Sequence, residues 1–170
     1  MRYRWLLLVA LTVAIACGKS TTSPTSGSNG GTSSSGNGTP SGGVPGAANR
    51  GTVSATIDGV SWSGTVSTAT VTLGSLAVAG ENTAGLIVGF GAVAKTGTTS
   101  VGLGSGTNGT VQQNGRGWHA TLTNGSGSVT ITTLTASGAS GTFSFTMVPL
   151  PNTGATGNRV VTNGAFNVTF

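Results

Sequence analysis

The 170-residue chain holds 31 glycines but only 5 % charged and 5 % aromatic residues. Its ionisable inventory is seven Lys and Arg, two acids (Asp58 and Glu81), one histidine (His119) and one cysteine (Cys17), too few for most multi-residue catalytic or metal sites. A lone cysteine also excludes an intramolecular disulfide and a cysteine-based structural zinc.

The formal charge of +5 does not mark a nucleic-acid binder. Arg2, Arg4, Lys19 and Arg50 precede Gly51, and beyond it Lys95, Arg116 and Arg159 stand against Asp58 and Glu81. Phosphate recognition needs Lys and Arg clustered on one face, which three dispersed cations do not supply. No nucleic-acid partner is expected.

At the start of the chain, two arginines within Met1–Arg4 precede an apolar run, Trp5–Ile15, broken only by Thr12. This is the organisation of a secretory signal peptide. The run is far short of the roughly 20 residues that a helix needs to cross a bilayer. The following Ala14-Ile15-Ala16-Cys17 resembles the lipobox of bacterial lipoproteins, with Ala14 where Leu is commoner. The resemblance implies removal of residues 1–16 and acylation of Cys17 as the first residue of the mature chain. Acyl chains contribute about 0.8 kcal/mol per buried methylene, so several of them hold a protein stably. Gly18 stands where an Asp would imply retention at the inner membrane, which makes a lipid-anchored protein of the outer membrane the expectation.

Residues 17–50 comprise Cys17 and a stretch made almost wholly of Gly, Ser, Thr, Asn and Pro. Such a composition buries too little apolar surface to offset its ordering entropy, and it reads as a disordered tether. A Gly/Ser chain of this length spans about 30 Å on average, enough to hold a domain clear of the headgroups.

From residue 51 to 170 the apolar pattern has period two, punctuated by turn signals. Val53, Ala55 and Ile57 share a face before an Asp58-Gly59 hairpin turn that leads to Val60 and Trp62. Val66–Leu73 alternates, with Ala69, Val71 and Leu73 inward, and Gly74-Ser75 turns the chain into Leu76 and Val78. Leu86–Ala94 is apolar on both faces, with Gly89 and Gly91 around Phe90 marking a bulge or a close backbone approach. After a weaker strand at Ser100–Leu103 and a turn-rich Gly104–Gly109, Trp118, Ala120 and Leu122 share a face. Asn124-Gly125 then turns into Val129, Ile131 and Thr133. Phe143, Phe145 and Met147 line one face of Gly141–Val148, and Arg159–Thr162, an Asn163-Gly164 turn and Ala165–Phe170 complete the chain. The expectation is an all-β domain of about nine or ten short antiparallel strands, a β-sandwich or a small closed barrel. A membrane-spanning barrel is disfavoured, because the strands read as mostly shorter than the roughly nine to eleven residues needed to span and the lipid-facing positions would be Thr and Ser.

Three segments, Ala55–Trp62, Ser140–Phe145 and Val161–Phe170, are similar to those of a family of bacterial lipoprotein domains of unknown function, known mainly from Bacteroidetes-type and related bacteria. That resemblance implies the same all-β fold and brings no catalytic residues.

Candidate ligand contacts are Trp62 and Trp118, whose indoles offer an apolar face with one donor, and His119. The alternation with Val60, Ala120 and Leu122 also suits both tryptophans to a core, and it puts His119 on the opposite face from Trp118. A general base needs a positioned nucleophile and an orienting acid, and no Gly-x-Ser-x-Gly elbow is present. Paired-carboxylate hydrolysis would need both acids in one cleft, whereas Asp58 has a sufficient role in its turn. The glycine-rich segments Gly89–Gly91 and Gly102–Gly106 neither open a helix nor carry the Gly-Lys-Ser/Thr ending of a phosphate loop. The chain therefore reads as a non-enzymatic, lipid-anchored binding or scaffolding domain without cofactor or metal. Its partner is a protein, a glycan or a small molecule. The alternative is a lipocalin-like carrier holding a small apolar ligand inside a closed barrel.

Overall fold

The computed structural model describes residues 49–170. The expected signal peptide, Cys17 and most of the expected tether lie outside them. Ten strands follow in order: β1 (Arg50–Ile57), β2 (Val60–Thr72), β3 (Ser75–Glu81), β4 (Ile87–Val93), β5 (Gly97–Ser100), β6 (Asn108–Gln113), β7 (Arg116–Ala120), β8 (Ser126–Thr135), β9 (Gly138–Pro149) and β10 (Arg159–Thr169). They form one antiparallel sheet in the order β10-β1-β2-β3-β4-β6-β7-β9-β8-β5. A further pairing between β9 and β10 closes the sheet into a ring. One edge of β9 serves two partners: Val148 and Pro149 face His119 and Trp118 of β7, while Gly138–Thr146 face β8. The expected all-β antiparallel architecture is present, as a single closed sheet.

Asp58 (φ 49°) and Gly59 (φ 83°) give the β1–β2 turn the two positive φ angles of a type I′ hairpin. Elsewhere the sequence pattern misplaces several boundaries. The segments Val60–Trp62 and Val66–Leu73 are one strand, β2, with a register shift between Val66 and Thr68. Its turn is Leu73-Gly74 (φ 50° and 76°), one residue earlier than expected, and Val71 and Leu73 are exposed. The reason is reach: β1 accompanies β2 only between Val60 and Thr65, and the β2–β3 ribbon projects past it. Leu122 is likewise exposed, because Thr121 and Asn124 exchange backbone hydrogen bonds and put Leu122-Thr123 at the turn in place of Asn124-Gly125. Thr133 leaves the inner face through a register shift after Ile131. Asn163-Gly164 is a bulge inside β10 and not a hairpin turn, since the β9 register jumps between Val161 and Gly164. β5 lies at Gly97–Ser100, ahead of the expected Ser100–Leu103, and β6 occupies a stretch the pattern assigns to no strand.

The ring is filled. Phe90 reaches from β4 to Phe166 of β10 (centroids 4.9 Å apart) and Phe143 of β9 (5.2 Å), and Phe143 meets Phe145 at 5.9 Å. Each of these four rings stands opposite a glycine in the strand register: Phe90 and Gly109, Phe143 and Gly164, Phe145 and Gly127, Phe166 and Gly141. A methyl group on Gly109 would stand 2.8 Å from the Phe145 ring, so the absent side chain is the room the ring occupies. The outer faces of β9 and β10 carry exposed Thr142, Ser144, Thr146, Thr162, Asn167 and Thr169, the reverse of a lipid-facing band.

Phe143→Ala and Phe166→Ala should each lower unfolding free energy by about 3–5 kcal/mol, measured by denaturant titration. Gly109→Ala, which adds a methyl where no room remains, should cost about 1–3 kcal/mol. Unchanged midpoints would show that the rings do not fill the interior.

Candidate functional site at the distal rim

Neighbouring strands of the ring run antiparallel, so the connections between them divide between two rims. Arg50, the Leu73-Gly74 turn, the β4–β6 connection and Phe170 lie at one rim, here called proximal. The Asp58-Gly59 turn, the Asn82–Leu86 link, the Asn114-Gly115 turn and the link between β9 and β10 lie at the other, the distal rim.

The distal rim is organised around Trp118, Arg159 and Asp58. The link after β9 is pinned to β7 at its start, where the Leu150 N–H donates to the Gly117 carbonyl (2.8 Å) and the Gly117 N–H to Thr153 Oγ1 (3.2 Å). Towards its end, Trp118 Nε1–H donates to the Gly157 carbonyl (2.9 Å). That bond delivers Arg159 to the face of the indole, with its guanidinium carbon 4.5 Å from the ring centroid. Arg159 Nη1 donates to Asp58 Oδ2 (2.6 Å), and Asp58 Oδ1 accepts the Val160 N–H (2.8 Å). The Asp58 N–H donates in turn to the Val160 carbonyl (2.8 Å), so the first hairpin is stitched to the head of the last strand. With side chains 28 % and 37 % exposed, the ion pair alone contributes at most about 1 kcal/mol. Stacking on Trp118 adds about 0.5–1 kcal/mol.

Beside this cluster is a surface hollow of ≈ 240 Å³ lined by Gln113, Asn114, Arg116, Trp118 and Arg159. Arg116 is exposed and enters no ion pair among the described residues. The hollow thus joins one free and one engaged guanidinium to two amide side chains over an indole floor. These groups bind carboxylates and hydroxyls and carry no nucleophile. A larger depression of ≈ 440 Å³ on the outer wall is lined mainly by Thr and Ser hydroxyls with Glu81 and Asn82. Among the described residues, no three His, Cys, Asp or Glu side chains gather as a metal-ligand set.

Of the residues singled out from sequence, Cys17 lies outside the described residues. Trp62 is buried against Val53, Gly64 and Gly80, with its Nε1 lacking a partner within the described chain. Trp118 is buried except where it floors the hollow. His119 is half-buried on the other face of β7, opposite Thr110 and Val148, so the structure does not bring it to Trp118 or Trp62. Sequence reasoning missed Arg159, Arg116 and Gln113, and saw in Asp58 only a turn. Asp58 and Arg159 are 101 residues apart, and no local pattern relates them.

Asp58→Asn keeps a residue at ease with positive φ and an acceptor for Val160, and should cost less than about 1 kcal/mol. Asp58→Ala loses both and should cost about 1–2 kcal/mol. Equal losses in the two variants, measured by thermal melts, would show that the carboxylate's charge dominates the contact.

Residues 49–168 match the model of a family described as a Domain of unknown function (DUF6252). No curated protein and no solved structure matches the chain.

Proposed function

We propose, for a chain that belongs to the DUF6252 family of domains of unknown function, a non-catalytic, lipid-anchored binding domain that presents its distal rim to a partner. The observation that carries this reading is the hollow at the distal rim, where Arg116, Gln113 and Asn114 converge beside the Trp118–Arg159–Asp58 cluster, at the end of the ring opposite Arg50. A rigid floor with a free cation and two amides suits a carboxylate-bearing or hydroxyl-rich group, as in an acidic glycan. The anchor rests on the signal-peptide organisation and on Cys17.

Non-catalytic is the better reading because the two acids and the histidine do not converge on one site among the described residues. Asp58 is held by Arg159 and Val160, and His119 makes no side-chain hydrogen bond to an acid or hydroxyl among the described residues. A lipocalin-like carrier would need interior room, and Phe90, Phe143, Phe145 and Phe166 occupy it.

Two measurements test the proposal. The intact mass of the chain extracted from membranes should show cleavage before Cys17 plus acyl chains, both absent in Cys17→Ser; an unacylated chain in the soluble fraction would overturn the anchor. Titration with a panel of acidic and neutral oligosaccharides should find an acidic ligand whose affinity falls about tenfold or more in Arg116→Ala, with the thermal midpoint unchanged. Binding indifferent to Arg116, or binding to no acidic member, would remove the distal hollow as the site.

A further inference from the structure

The proximal rim breaks a rule that the rest of the chain keeps. Among the described residues, five that are not glycine have positive φ: Asp58, Asn114, Asn152, Asn163 and Leu73. Asp and Asn tolerate this conformation because their short polar side chains bond locally, whereas a leucine gains nothing there. Leu73 is also 100 % exposed, at the tip of its turn. Neither the turn nor the core accounts for this side chain.

Leu73 does not stand alone. Its turn is tied to the end of β4 by a hydrogen bond from the Ala94 N–H to the Gly74 carbonyl (2.8 Å), beside the exposed Val93. Val93 Cγ2 in turn lies 3.7 Å from where a Cβ on Gly106 would be, which places the β5–β6 link against it. That link carries Leu103, 89 % exposed. Leu73 and Leu103 thus protrude from the two links, while Val71, paired with Leu76, and Val93, paired with Ser75, are partly exposed on opposite faces of the sheet.

Charge is divided in the same sense. Arg50 and Lys95, both exposed, are at the proximal rim, and both acids of the chain, Asp58 and Glu81, are at the distal end of their strands. Among the described residues, the charged side chains at the proximal rim are therefore cations alone, whereas distal Arg116 and Arg159 are balanced by the acids. Moreover, the chain that leads back to Cys17 leaves from this rim at Arg50.

We propose that the proximal rim rests on the surface of an anionic bilayer, with Leu73 and Leu103 in the interfacial layer and Arg50 and Lys95 at the lipid phosphates. Protruding apolar side chains flanked by cations are what such a surface binds, and the lipid anchor keeps it within reach. The orientation points the distal hollow away from the membrane. The inference rests on the anchored reading above.

The test uses the acylated full chain in vesicles of phosphatidylethanolamine and phosphatidylglycerol carrying a lipid-borne quencher. An environment-sensitive fluorophore is placed at Leu73→Cys or at Asn114→Cys, Cys17 being blocked by its acyl groups, and intact mass is recorded for each sample. Quenching should be about threefold or more stronger at position 73 than at 114. A label at Ser75→Cys should be quenched as well, and should lose that quenching when Leu73→Asn and Leu103→Asn are combined. Asn suits the positive φ of position 73, so this variant keeps its turn. In a chain whose mass shows the acyl groups, equal quenching at the two rims, or none at either, overturns the docked orientation while the anchor stands. A mass that rises with concentration in detergent, lost in the double leucine variant, assigns the rim to a second copy and also overturns it. A chain without acyl groups overturns the anchored reading and the orientation with it.

Discussion

The structure depends on a volume match between phenylalanine and glycine. A small closed ring of strands has little interior, and Phe143, Phe145 and Phe166 occupy room that a side chain on Gly164, on Gly109 or Gly127, or on Gly141 would take. Large and small residues alternate around the inner wall so that rings interdigitate, the arrangement close packing requires. Trp62 follows the same logic, filling space left by Gly64 and Gly80. A chain with 31 glycines thus uses part of them as moulded space and part for its turns.

This packing separates stability from recognition. Once the interior is solid, the ring offers a partner only its wall and its rims. The wall is dressed in Thr, Ser and Asn, which wet the surface of a domain with very few charges. The rims hold what is chemically distinctive. At the distal rim a single chain of contacts, Trp118 to Gly157, then Arg159 to Asp58, joins the first hairpin to the last strand. It leaves Arg116 free beside it. At the proximal rim, exposed Leu73 and Leu103 and the cations Arg50 and Lys95 stand among the polar turns.

The two rims differ in chemistry, and strand direction sets which residues reach each of them. Because β1 starts at one rim and neighbouring strands alternate, every odd connection returns the chain to the distal end and every even one to the proximal end, save where β5 and β8 leave the circuit. Chain direction thereby distributes the chemistry: the two acids and the aromatic–guanidinium cluster go one way, Leu73, Lys95 and the chain's link to Cys17 the other.

The sequence by itself determined the class of fold and most of the inner face. Period-two alternation in Val53–Ile57 and Phe143–Met147, and the positive-φ pair Asp58-Gly59, are local signals, because neighbouring side chains on a strand point to opposite sides whatever the strand meets. Tertiary structure alone decided where those strands stop being covered. Val71, Leu73 and Leu122 continue the inward alternation in sequence but lie beyond the reach of the partner that would bury them, so their apolar character serves the surface. It also decided that Asn163-Gly164 bulges within β10, since its register on β9 is set by the Phe143–Gly164 and Phe166–Gly141 pairs. Ring closure and the meeting of Asp58 with Arg159 belong to the same category. They join residues far apart in the chain, and only the geometry of the whole closed sheet brings such residues together.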